Sequence, residues 1–558
     1  MIVERFKTTF AANIFKQKYA QGPNDSWDSL SERIVEDVCG SRWGTQPVLM
    51  SDTERKELVE HIKAMRFLPG GRYLYYAGRP YKAYNNCYLL RAEEDTREEW
   101  SNVTWRAMSC LMTGGGIGID YSKLRPEGKA LSRTGGTASG PLPLMSAINE
   151  IGRNVMQGGS RRSAIYASLN WKHEDIPKFL GIKNWSPAVK AAKEADFNAP
   201  APLDMTNISV NYDTESLGGF TKYKGLVLEN SLHENDVFKK NVRQAMETGE
   251  PGFSFNFFDK ENETLRNACT EVTSEDDSDV CNLGSINLGN IRSIDEFKSI
   301  VALASKFLVC GTLRADLPYE KVYKVREKNR RLGLGLMGIH EWLLQRGAKY
   351  EVTKELRQWL QVYKDESKRS ADEHCDRFFV SRPVAYRAIA PTGTIGILAS
   401  TTTGIEPLFA VAYKRRYLTD GTKWKYEYVV DATADRLVKE YGLKPDEIDT
   451  AYKLSTDYER RIAFQADIQD YVDMSISSTI NLPAWGTKAN NENRVEEFTK
   501  VLAAYAPRLR GFTCYPDGSR GGQPITECSY EDAVKNKGTV FEEHDVCDIT
   551  GHGGSCGV

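Results

Sequence analysis

The amino-acid sequence predicts an α/β protein whose core is a largely parallel β-sheet. From Cys87 onward, short apolar segments of strand length alternate with helical patterns such as Lys354–Arg377, and this alternation is typical of parallel sheets. Glycine-rich turns separate the segments. Around ten strands fall within one region, which favours a closed barrel. The predicted strands are Cys87–Leu90, Ile117–Asp120, Ala164–Leu169, Asn207–Tyr212, Phe253–Phe257, Ser285–Leu288, Leu332–Leu336, Ala388–Leu398, Leu408–Tyr413, Thr479–Leu482 and Gly511–Tyr515.

The segment before the barrel, residues 1–85, is predicted to be helical. Ser51 and Glu54 have the spacing of a capping box, in which each side chain bonds the backbone N–H of the other. Apolar residues then follow at helical spacing as far as Met65. The Pro-Gly-Gly sequence at 69–71 ends this helix.

The sequence therefore divides into three parts. Residues 1–85 form a helical region, 86–515 form the barrel, and 516–558 form a flexible tail rich in glycine and charged residues. Within the barrel region, the alanine- and proline-rich stretch Trp185–Asp204 is predicted to be a surface loop.

Composition and charge exclude several classes of protein. The chain has 558 residues, of which 41% are hydrophobic and 27% charged, and such a chain can bury a sizeable core. Its formal net charge of −2 provides no basic field for nucleic acid. The N-terminus has no signal-peptide core, and no stretch reaches the roughly 18 apolar residues of a membrane span. We expect a cytoplasmic protein with neither a nucleic-acid nor a membrane partner.

The chain contains eleven cysteines. A cytosolic chain of this size needs no disulfide scaffold, so some of them are expected to be reactive. No C-x-x-C pair occurs, which argues against a structural zinc ribbon and against a thiol–disulfide oxidoreductase. We predict no metal site. Four cysteines fit helical patterns and are predicted to be core residues: Cys39, Cys110, Cys310 and Cys375.

The sequence Asn267-Ala-Cys269-Thr-Glu271 is the main candidate for an active site. In an extended segment, alternate residues share one face, so an amide, a thiol and a carboxylate would point together. Such a set can supply a sulfur centre, a proton acceptor and an orienting hydrogen bond. Taken alone, the same pattern also fits a solvated strand face. Cys281 lies twelve positions after Cys269, and its alternative is a buried structural thiol.

The motif Asn267-x-Cys269-x-Glu271, followed by Cys281–Leu288, resembles the active-site signature of ribonucleotide reductases. Further segments resemble the family's motifs in the family's order. They are Phe67–Arg72 with Asn86 and Cys87, then Gly114–Asp120 and Gly158–Ala164 of the specificity region, and then Pro391–Ile395 with Thr403–Pro407 of the phosphate loop.

This resemblance implies a ten-stranded barrel with Cys269 on a finger loop inside it, where the thiol is oxidised to a thiyl radical. Sulfur can abstract the 3′ hydrogen of a ribose reversibly, because the S–H and C–H bonds have comparable strengths. Glu271 would take the 3′-hydroxyl proton, and Asn267 would orient the ribose. Cys87 and Cys281 would supply two electrons and become a disulfide. We therefore expect an enzyme that reduces ribonucleoside di- or triphosphates to 2′-deoxyribonucleotides.

Two late cysteines, Cys547 and Cys556, lie in a glycine-rich end of the chain. A mobile dithiol arm of this kind could re-reduce the active-site disulfide by exchange and be recharged by thioredoxin or a similar protein. The alternative is a disordered end with two incidental thiols.

The resemblance also implies nucleotide-binding residues. For the substrate they are Asn86 and the loop Pro391, Thr392, Gly393, Thr394 and Ile395, whose backbone N–H groups suit an anion. For a deoxynucleoside triphosphate effector they are Asp95, Arg125, Arg133, Arg161 and Arg162. A surface salt bridge is the alternative for each arginine.

The radical source is inferred from the segment Phe512–Ser519. Family members that depend on a ferritin-like metal subunit use two adjacent tyrosines there, whereas this chain has Cys514 followed by Tyr515. The segment resembles that of adenosylcobalamin-dependent members, so we expect adenosylcobalamin as cofactor. A radical-generating partner subunit is the alternative. We also expect a homodimer, and a non-catalytic nucleotide-binding regulator is the remaining alternative.

Overall fold

The structure, a computed structural model, describes most of the chain. The described residues are 5–41, 46–132, 134–155, 163–196, 199–219, 221–223, 226–419, 423–518, 525–537 and 539–542. No helix among them is both long and apolar enough to cross a membrane.

The helices are α1 Thr9–Lys18, α2 Trp27–Cys39, α3 Asp52–Lys63, α4 Gly71–Tyr76, α5 Arg97–Met112, α6 Leu142–Asn154, α7 Ile176–Gly181, α8 Pro187–Ala195, α9 Asp236–Thr248, α10 Ile294–Arg314, α11 Glu320–Asn329, α12 Ile339–Leu344, α13 Lys354–Arg377, α14 Gly393–Ala399, α15 Ala432–Tyr441, α16 Tyr458–Gln469, α17 Val495–Tyr505 and α18 Tyr530–Lys535.

The strands are β1 Phe67–Pro69, β2 Cys87–Arg91, β3 Gly116–Asp120, β4 Ile165–Asn170, β5 Thr206–Tyr212, β6 Thr221–Tyr223, β7 Leu226–Glu229, β8 Gly252–Phe255, β9 Leu265–Arg266, β10 Thr273–Ser274, β11 Asp279–Asn287, β12 Leu332–Met337, β13 Ala412–Thr419, β14 Lys423–Val430, β15 Thr479–Leu482, β16 Gly511–Pro516, β17 Ile525–Glu527 and β18 Val540–Glu542.

The main sheet has ten strands. Nine of them form two halves that run in opposite directions, and the tenth, β1, pairs antiparallel with β11. In the first half, β2, β3, β4, β5 and β8 are parallel to one another. In the second half, β11 is parallel to β12, and β15 is parallel to β16. The halves meet at two antiparallel seams, β2 with β11 and β8 with β16.

The segment 385–390 closes this sheet into a barrel. It makes parallel bridges to β12 through Leu334 and Arg387, and to the approach to β15 through Ile389 and Ile476. Backbone hydrogen bonds extend both contacts, for example from the N–H of Ser477 to the carbonyl of Ile389, 2.8 Å. The barrel inferred from the sequence is thus confirmed.

Residues 256–278 connect β8 to β11 and enter the lumen as a finger loop, whose stem is the antiparallel pair of β9 and β10. The loop lies so close to β3 that a Cβ atom on Gly118 would sit 1.8 Å from the carbonyl oxygen of Arg266. Only glycine permits this approach, which explains the alternating glycines of β3. On the opposite wall, the N–H of Ser475 donates to the carbonyl of Glu271, 2.8 Å. The expected finger loop is therefore present.

Among the described residues, the apolar core has one large part and three small ones, and two of these four parts bear on the site. The larger part lies between the barrel wall and the surrounding helices, and it includes Cys39, Cys110, Cys310 and Cys375, as the sequence predicts. A smaller cluster lines the lumen around Cys87, Cys281 and Met474. The lumen is therefore a packed, apolar chamber rather than an open channel.

Several local predictions are confirmed. The capping box of Ser51 and Glu54 forms at the start of α3, and α13 has the predicted bounds. The described residues before β2 contain α1 to α4 and the short strand β1. Most barrel strands lie within a residue or two of their predicted positions.

Other local predictions are wrong. Trp185–Asp204 was expected to be a loop but contains α8, which Ser186 caps through the backbone N–H of Val189. Ala388–Leu398 was expected to be one strand, yet it divides into the closing segment and α14, because Thr392 adopts a left-handed conformation with φ of 51°.

The chain after residue 516 is not entirely the expected tail. Residues 525–542 contribute β17, α18 and β18, and the two strands flank the hairpin of β13 and β14 in a four-stranded sheet. Residues 543–558 lie outside the described residues. The division at residues 85 and 515 stays a prediction.

Candidate active site

Two thiols face each other across the seam between β2 and β11. Cys87 and Cys281 are direct partners in the antiparallel register, and the Cα atoms of such partners are about 4.5–5.5 Å apart. A disulfide requires a Cα separation of about 4.4–6.8 Å, so the pair can be oxidised without rebuilding the strands. Both thiols are free and buried, with 3% and 1% of their surface exposed.

The tip of the finger loop is a turn, not the extended segment that we expected. The N–H of Thr270 donates to the carbonyl of Asn267, 3.0 Å, and Thr270 has a left-handed φ of 69°. The side-chain oxygen of Asn267 also accepts from the N–H of Val272, 3.0 Å. The turn therefore brings Asn267, Cys269 and Glu271 to one place, although the physical reason differs from the alternation of a strand.

The finger tip is joined to the thiol pair by polar contacts. Nδ2 of Asn267 donates to Sγ of Cys87, 2.9 Å. The Cys87 thiol donates to Oε1 of Glu271, 3.8 Å. The amide, the carboxyl group and one redox thiol thus form a connected set, and Cys269 lies between Asn267 and Glu271 in the same turn.

Glu271 is suited to exchange protons. Its second oxygen, Oε2, is buried and has no hydrogen-bond partner among the described residues. Burial raises the pKa of Glu271 to about 7, and the nearby Asn267 and Cys87 oppose this shift only in part. A carboxyl group with this pKa is close to equally protonated and ionised at neutral pH.

Accessibility distinguishes the three thiols of the site. Burial raises the pKa of Cys87 and of Cys281 well above the usual thiol range, so both rest as neutral thiols. Cys269 is partly exposed. The site therefore holds a reducing pair out of solvent and presents a third thiol at the loop tip.

Charged residues that the sequence analysis missed hold the base of the finger loop. The guanidinium of Arg266 donates to the carbonyls of Glu263, 2.6 Å, and Arg510, 3.0 Å. The carboxylate of Glu263 also accepts from Nη2 of Arg510, 2.8 Å, and the coulombic effect of Arg510 and Arg331 outweighs burial to lower the pKa of Glu263 to about 2. Arg331 further bonds Asp279 through Nε, 2.8 Å. The only sequence signal for this cluster was the presence of charges beside the cysteine motif.

The predicted substrate residues lie at the edge of the lumen. The lumen-lining Ala390 leads directly into the loop, where Pro391 and Gly393 are exposed, Thr394 is half-buried, and Thr392 and Ile395 are buried. Oγ1 of Thr392 accepts from the N–H of Gly404, 2.8 Å, which fixes the turn. A Cβ atom on Gly393 would meet open space.

Asn86 precedes Cys87 and is anchored through its backbone N–H, which donates to the carbonyl of Cys281, 3.3 Å. Its Oδ1 atom is buried and has no partner among the described residues. Buried polar atoms are normally satisfied. Oδ1 of Asn86 is therefore, like Oε2 of Glu271, a buried acceptor that a bound ligand would satisfy.

Only two of the predicted effector residues are described. Asp95 and Arg125 form an ion pair with each other, which is the arrangement of the salt-bridge alternative. An open cleft of about 620 Å³ is lined by Glu127, Thr137 and Ser146, among others, and Glu127 follows Arg125 by two positions in the chain. Arg133, Arg161 and Arg162 lie outside the described residues, as do Cys547 and Cys556.

The residues of the site are compatible with the cofactor that the sequence implies. Among the described residues, no group of three or more His, Cys, Asp or Glu side chains is arranged to hold a metal ion. Adenosylcobalamin carries its metal within the corrin ring, so the protein need not supply a cluster of metal ligands. Its radical requires an accessible thiol as hydrogen donor, and Cys269 provides one. Cys514 is buried in the outer core, so it does not extend a path from Tyr515 towards the finger loop. The residues present fit the cofactor.

Comparisons with known proteins agree with this geometry. The chain matches the family described as ribonucleotide reductase, barrel domain, over residues 85–199, 188–362 and 382–515. It is 26% identical to a vitamin B12-dependent ribonucleoside-diphosphate reductase of Mycobacterium tuberculosis, over 95% of this chain and 82% of the relative. It is 24% identical to a protein of the same name from Thermoplasma acidophilum, over 87% of this chain and 68% of the relative.

A crystal structure of a B12-dependent, class II ribonucleotide reductase has the same fold. The two chains are 16% identical, and they align with a TM-score of 0.69 over 94% of this chain and 93% of the other. Because the matched family covers well over half of the sequence, this chain belongs to the ribonucleotide reductase barrel-domain family.

Proposed function

We propose that this chain reduces ribonucleoside di- or triphosphates to 2′-deoxyribonucleotides through a thiyl radical at Cys269, with adenosylcobalamin as the radical source. The observation that carries the proposal is the arrangement of Cys87 opposite Cys281, with Asn267 and Glu271 in contact with Cys87. The similarity to B12-dependent reductases supports the choice of cofactor.

Cys269 is the residue that would hold the radical. When bound, adenosylcobalamin supplies a carbon-centred radical by homolysis of its cobalt–carbon bond, and this radical can take the hydrogen atom from the Cys269 thiol. The finger turn holds Cys269 in the same loop as Glu271, so the sulfur lies close to any ribose that Glu271 binds. The apolar lumen excludes bulk water, which protects a reactive sulfur from side reactions.

Glu271 would act as the acid–base residue. In its ionised form, the carboxylate accepts the 3′-hydroxyl proton after the 3′ hydrogen has been removed. Loss of the 2′-hydroxyl as water then requires a proton, and the Cys87 thiol lies 3.8 Å from Oε1 of Glu271. Asn267 would hydrogen-bond the ribose, since its amide already lies between the loop and Cys87.

The thiol pair would provide the reducing equivalents. Replacing the 2′-hydroxyl by hydrogen consumes two electrons, and Cys87 and Cys281 supply them when they form a disulfide. The proposed dithiol arm, Cys547 and Cys556, would restore the pair by exchange. Thioredoxin or a similar protein would in turn reduce the arm.

The loop Pro391–Ile395 would hold the substrate phosphates, because its exposed backbone at Gly393 adjoins the lumen. The cleft lined by Glu127, Thr137 and Ser146 is a candidate effector site, and its volume of about 620 Å³ suits a nucleotide. A homodimer in the cytoplasm, where thiols stay reduced, completes the proposal.

The decisive experiment is an anaerobic assay of deoxynucleotide formation by the purified chain, with dithiothreitol, each of the four ribonucleoside di- and triphosphates, and with or without adenosylcobalamin. We expect turnover only with the cofactor, and none from Cys269→Ser. Cys110→Ser is the matched control, since it removes a buried thiol from the outer core rather than from the lumen and should retain activity. Turnover that instead required a metal-containing partner subunit would overturn the cofactor assignment.

A further inference from the structure

The tip of the finger loop is held by contacts with two different walls of the lumen. From one wall, the backbone N–H of Ser475 donates to the carbonyl of Glu271, 2.8 Å. From another wall, Nδ2 of Asn207, in β5, donates to the carbonyl of Ala268, 3.3 Å. Ala268 directly precedes Cys269 in the chain. The amide of Asn207 therefore fixes the backbone beside the proposed radical thiol.

Asn207 points into the lumen and is open to solvent. Successive side chains of a strand point to opposite faces, and Ile208 and Val210 of β5 belong to the outer core. Asn207 and Ser209 therefore face inward. Asn207 is exposed, whereas the other residues of β5 are buried, so this end of the strand borders an opening of the lumen.

The two sides of the finger tip differ in exposure. Asn267 and Glu271, which contact Cys87, are buried. Cys269 is half-buried, and Asn207 is exposed beside it. The tip thus has a closed side towards the reducing thiols and an open side that Asn207 borders. A group that takes a hydrogen atom from Cys269 can reach the sulfur from the open side without displacing the reducing pair.

The wall next to Asn207 supports the tip by close packing. A Cβ atom on Gly116, in β3, would lie 3.0 Å from the Cβ atom of Ala268. The small side chain of Ala268 offers little surface for such packing, and Thr270 adopts a left-handed conformation with φ of 69°, which is uncommon for a residue other than glycine. A directional hydrogen bond to the carbonyl of Ala268 therefore adds a constraint that packing alone does not supply.

We propose that Asn207 is a positioning residue for Cys269. By fixing the carbonyl of Ala268, its amide holds the Cys269 sulfur towards the open side of the lumen, where a radical source would act. The side chain itself exchanges neither protons nor electrons. This inference rests on the proposed function and adds to it a residue that sets the geometry of radical generation.

The first test measures the position of Cys269 without cofactor, substrate or turnover. Asn207→Leu removes the donor while keeping the size of the side chain and adding no charge. In the full-length, reduced chain, iodoacetamide should alkylate Cys269 about three- to tenfold faster in the variant, as expected from the loss of one hydrogen bond. Peptide mass mapping over time gives the rates for Cys269, Cys87 and Cys281 together. An unchanged rate at Cys269 would overturn the proposal, and so would an equal rise at all three thiols, because it would reveal a general loosening of the barrel.

The second test separates positioning from substrate binding. With adenosylcobalamin and a ribonucleotide, Asn207→Leu should lower kcat by the same factor and leave KM for the ribonucleotide unchanged. Cleavage of the cobalt–carbon bond, followed by the absorbance of the corrin, should slow in parallel. Wild-type kcat in the variant, or a raised KM with wild-type kcat, would refute the proposed role.

Asn491→Leu is the matched control. The amide of Asn491 also donates to a backbone carbonyl, that of Thr487, 2.7 Å, within one surface segment. Its loss should change neither the alkylation of Cys269 nor kcat. If the wild-type chain showed no turnover at all, the proposed function would fail, whereas the alkylation rates would still decide whether Asn207 positions Cys269.

Discussion

The two antiparallel seams of the barrel have similar backbones but opposite characters. At the seam of β2 and β11, Cys87 faces Cys281, and the finger loop contacts the pair through Asn267 and Glu271. At the seam of β8 and β16, Phe253 faces Phe512, and their rings lie 5.8 Å apart in the outer core.

The two seams differ in the side-chain groups that they bury. The first seam keeps buried thiols with raised pKa values beside a carboxyl oxygen that lacks a partner. The second seam buries aromatic surface, which stabilises the fold and offers no reactive group. Antiparallel pairing therefore closes the barrel in both places, but only one of the two seams carries reactive side chains.

The largest effect is expected at the first seam. Cys281→Ser should abolish turnover with dithiothreitol, because serine cannot form the disulfide through which the pair delivers its two electrons. The midpoint of thermal unfolding should change little. Deoxynucleotide formation and thermal unfolding measure the two quantities. Turnover above a tenth of the wild-type rate would mean that the seam is not the reducing centre.

Glu271→Gln tests the carboxyl group beside that seam. Loss of an acid–base residue typically lowers the rate about 10²- to 10⁴-fold. In the wild type, the rate should rise with pH through about 7, since Glu271 must be ionised to accept the 3′-hydroxyl proton and burial raises its pKa to about 7. A pH–rate profile measures this rise. The residual activity of the variant should not show it.

The same carboxyl group should make the stability of the fold depend on pH in a predictable direction. Its pKa is raised in the folded state, so the wild type should lose stability as pH rises from the unfolded value, near 4.5, through about 7. Glu271→Gln carries no charge and should avoid that loss. Denaturant unfolding at pH 5 and pH 8 measures the difference, and equal pH dependence in both proteins would contradict the raised pKa.

A substitution in the proposed phosphate loop, away from both seams, should weaken substrate binding without lowering the stability of the fold. In Gly393→Ala, the added methyl group meets open space in the protein but would occupy the proposed phosphate position. We expect KM to rise roughly tenfold, as for one lost hydrogen bond to a charged group, with kcat nearly unchanged. Steady-state kinetics would contradict the assignment if KM stayed at the wild-type value.

The smallest effect on the chemistry is expected at the second seam. Phe512→Ala should destabilise the fold by about 3–5 kcal/mol, as is typical of buried aromatic residues, while kcat per folded molecule stays within about twofold of the wild type. A large fall in kcat at full folding would show that the two seams are functionally equivalent.

The cysteine motif shows how far local sequence reasoning reaches. The sequence identified Asn267, Cys269 and Glu271, and it identified Cys87 and Cys281, because these residue types in this order carry a recognisable pattern. The reason offered for their convergence was wrong, since the loop is a turn with Thr270 in a left-handed conformation. Such a conformation depends on contacts with β3 and with Ser475, which no local pattern contains.

The sequence by itself determined the residues of the chemistry, the α/β class and the positions of most barrel strands along the chain. These depend on residue type and on periodicity, which are local properties. The pairing of Cys87 with Cys281 was expected from the resemblance, but only the tertiary structure supplies its geometry. It placed the two thiols opposite each other at a seam, and it set Cys310 against His374 in what had been predicted only as apolar core. Contacts between residues far apart in the chain arise only when the barrel closes and the helices pack on it, so only the folded chain specifies them.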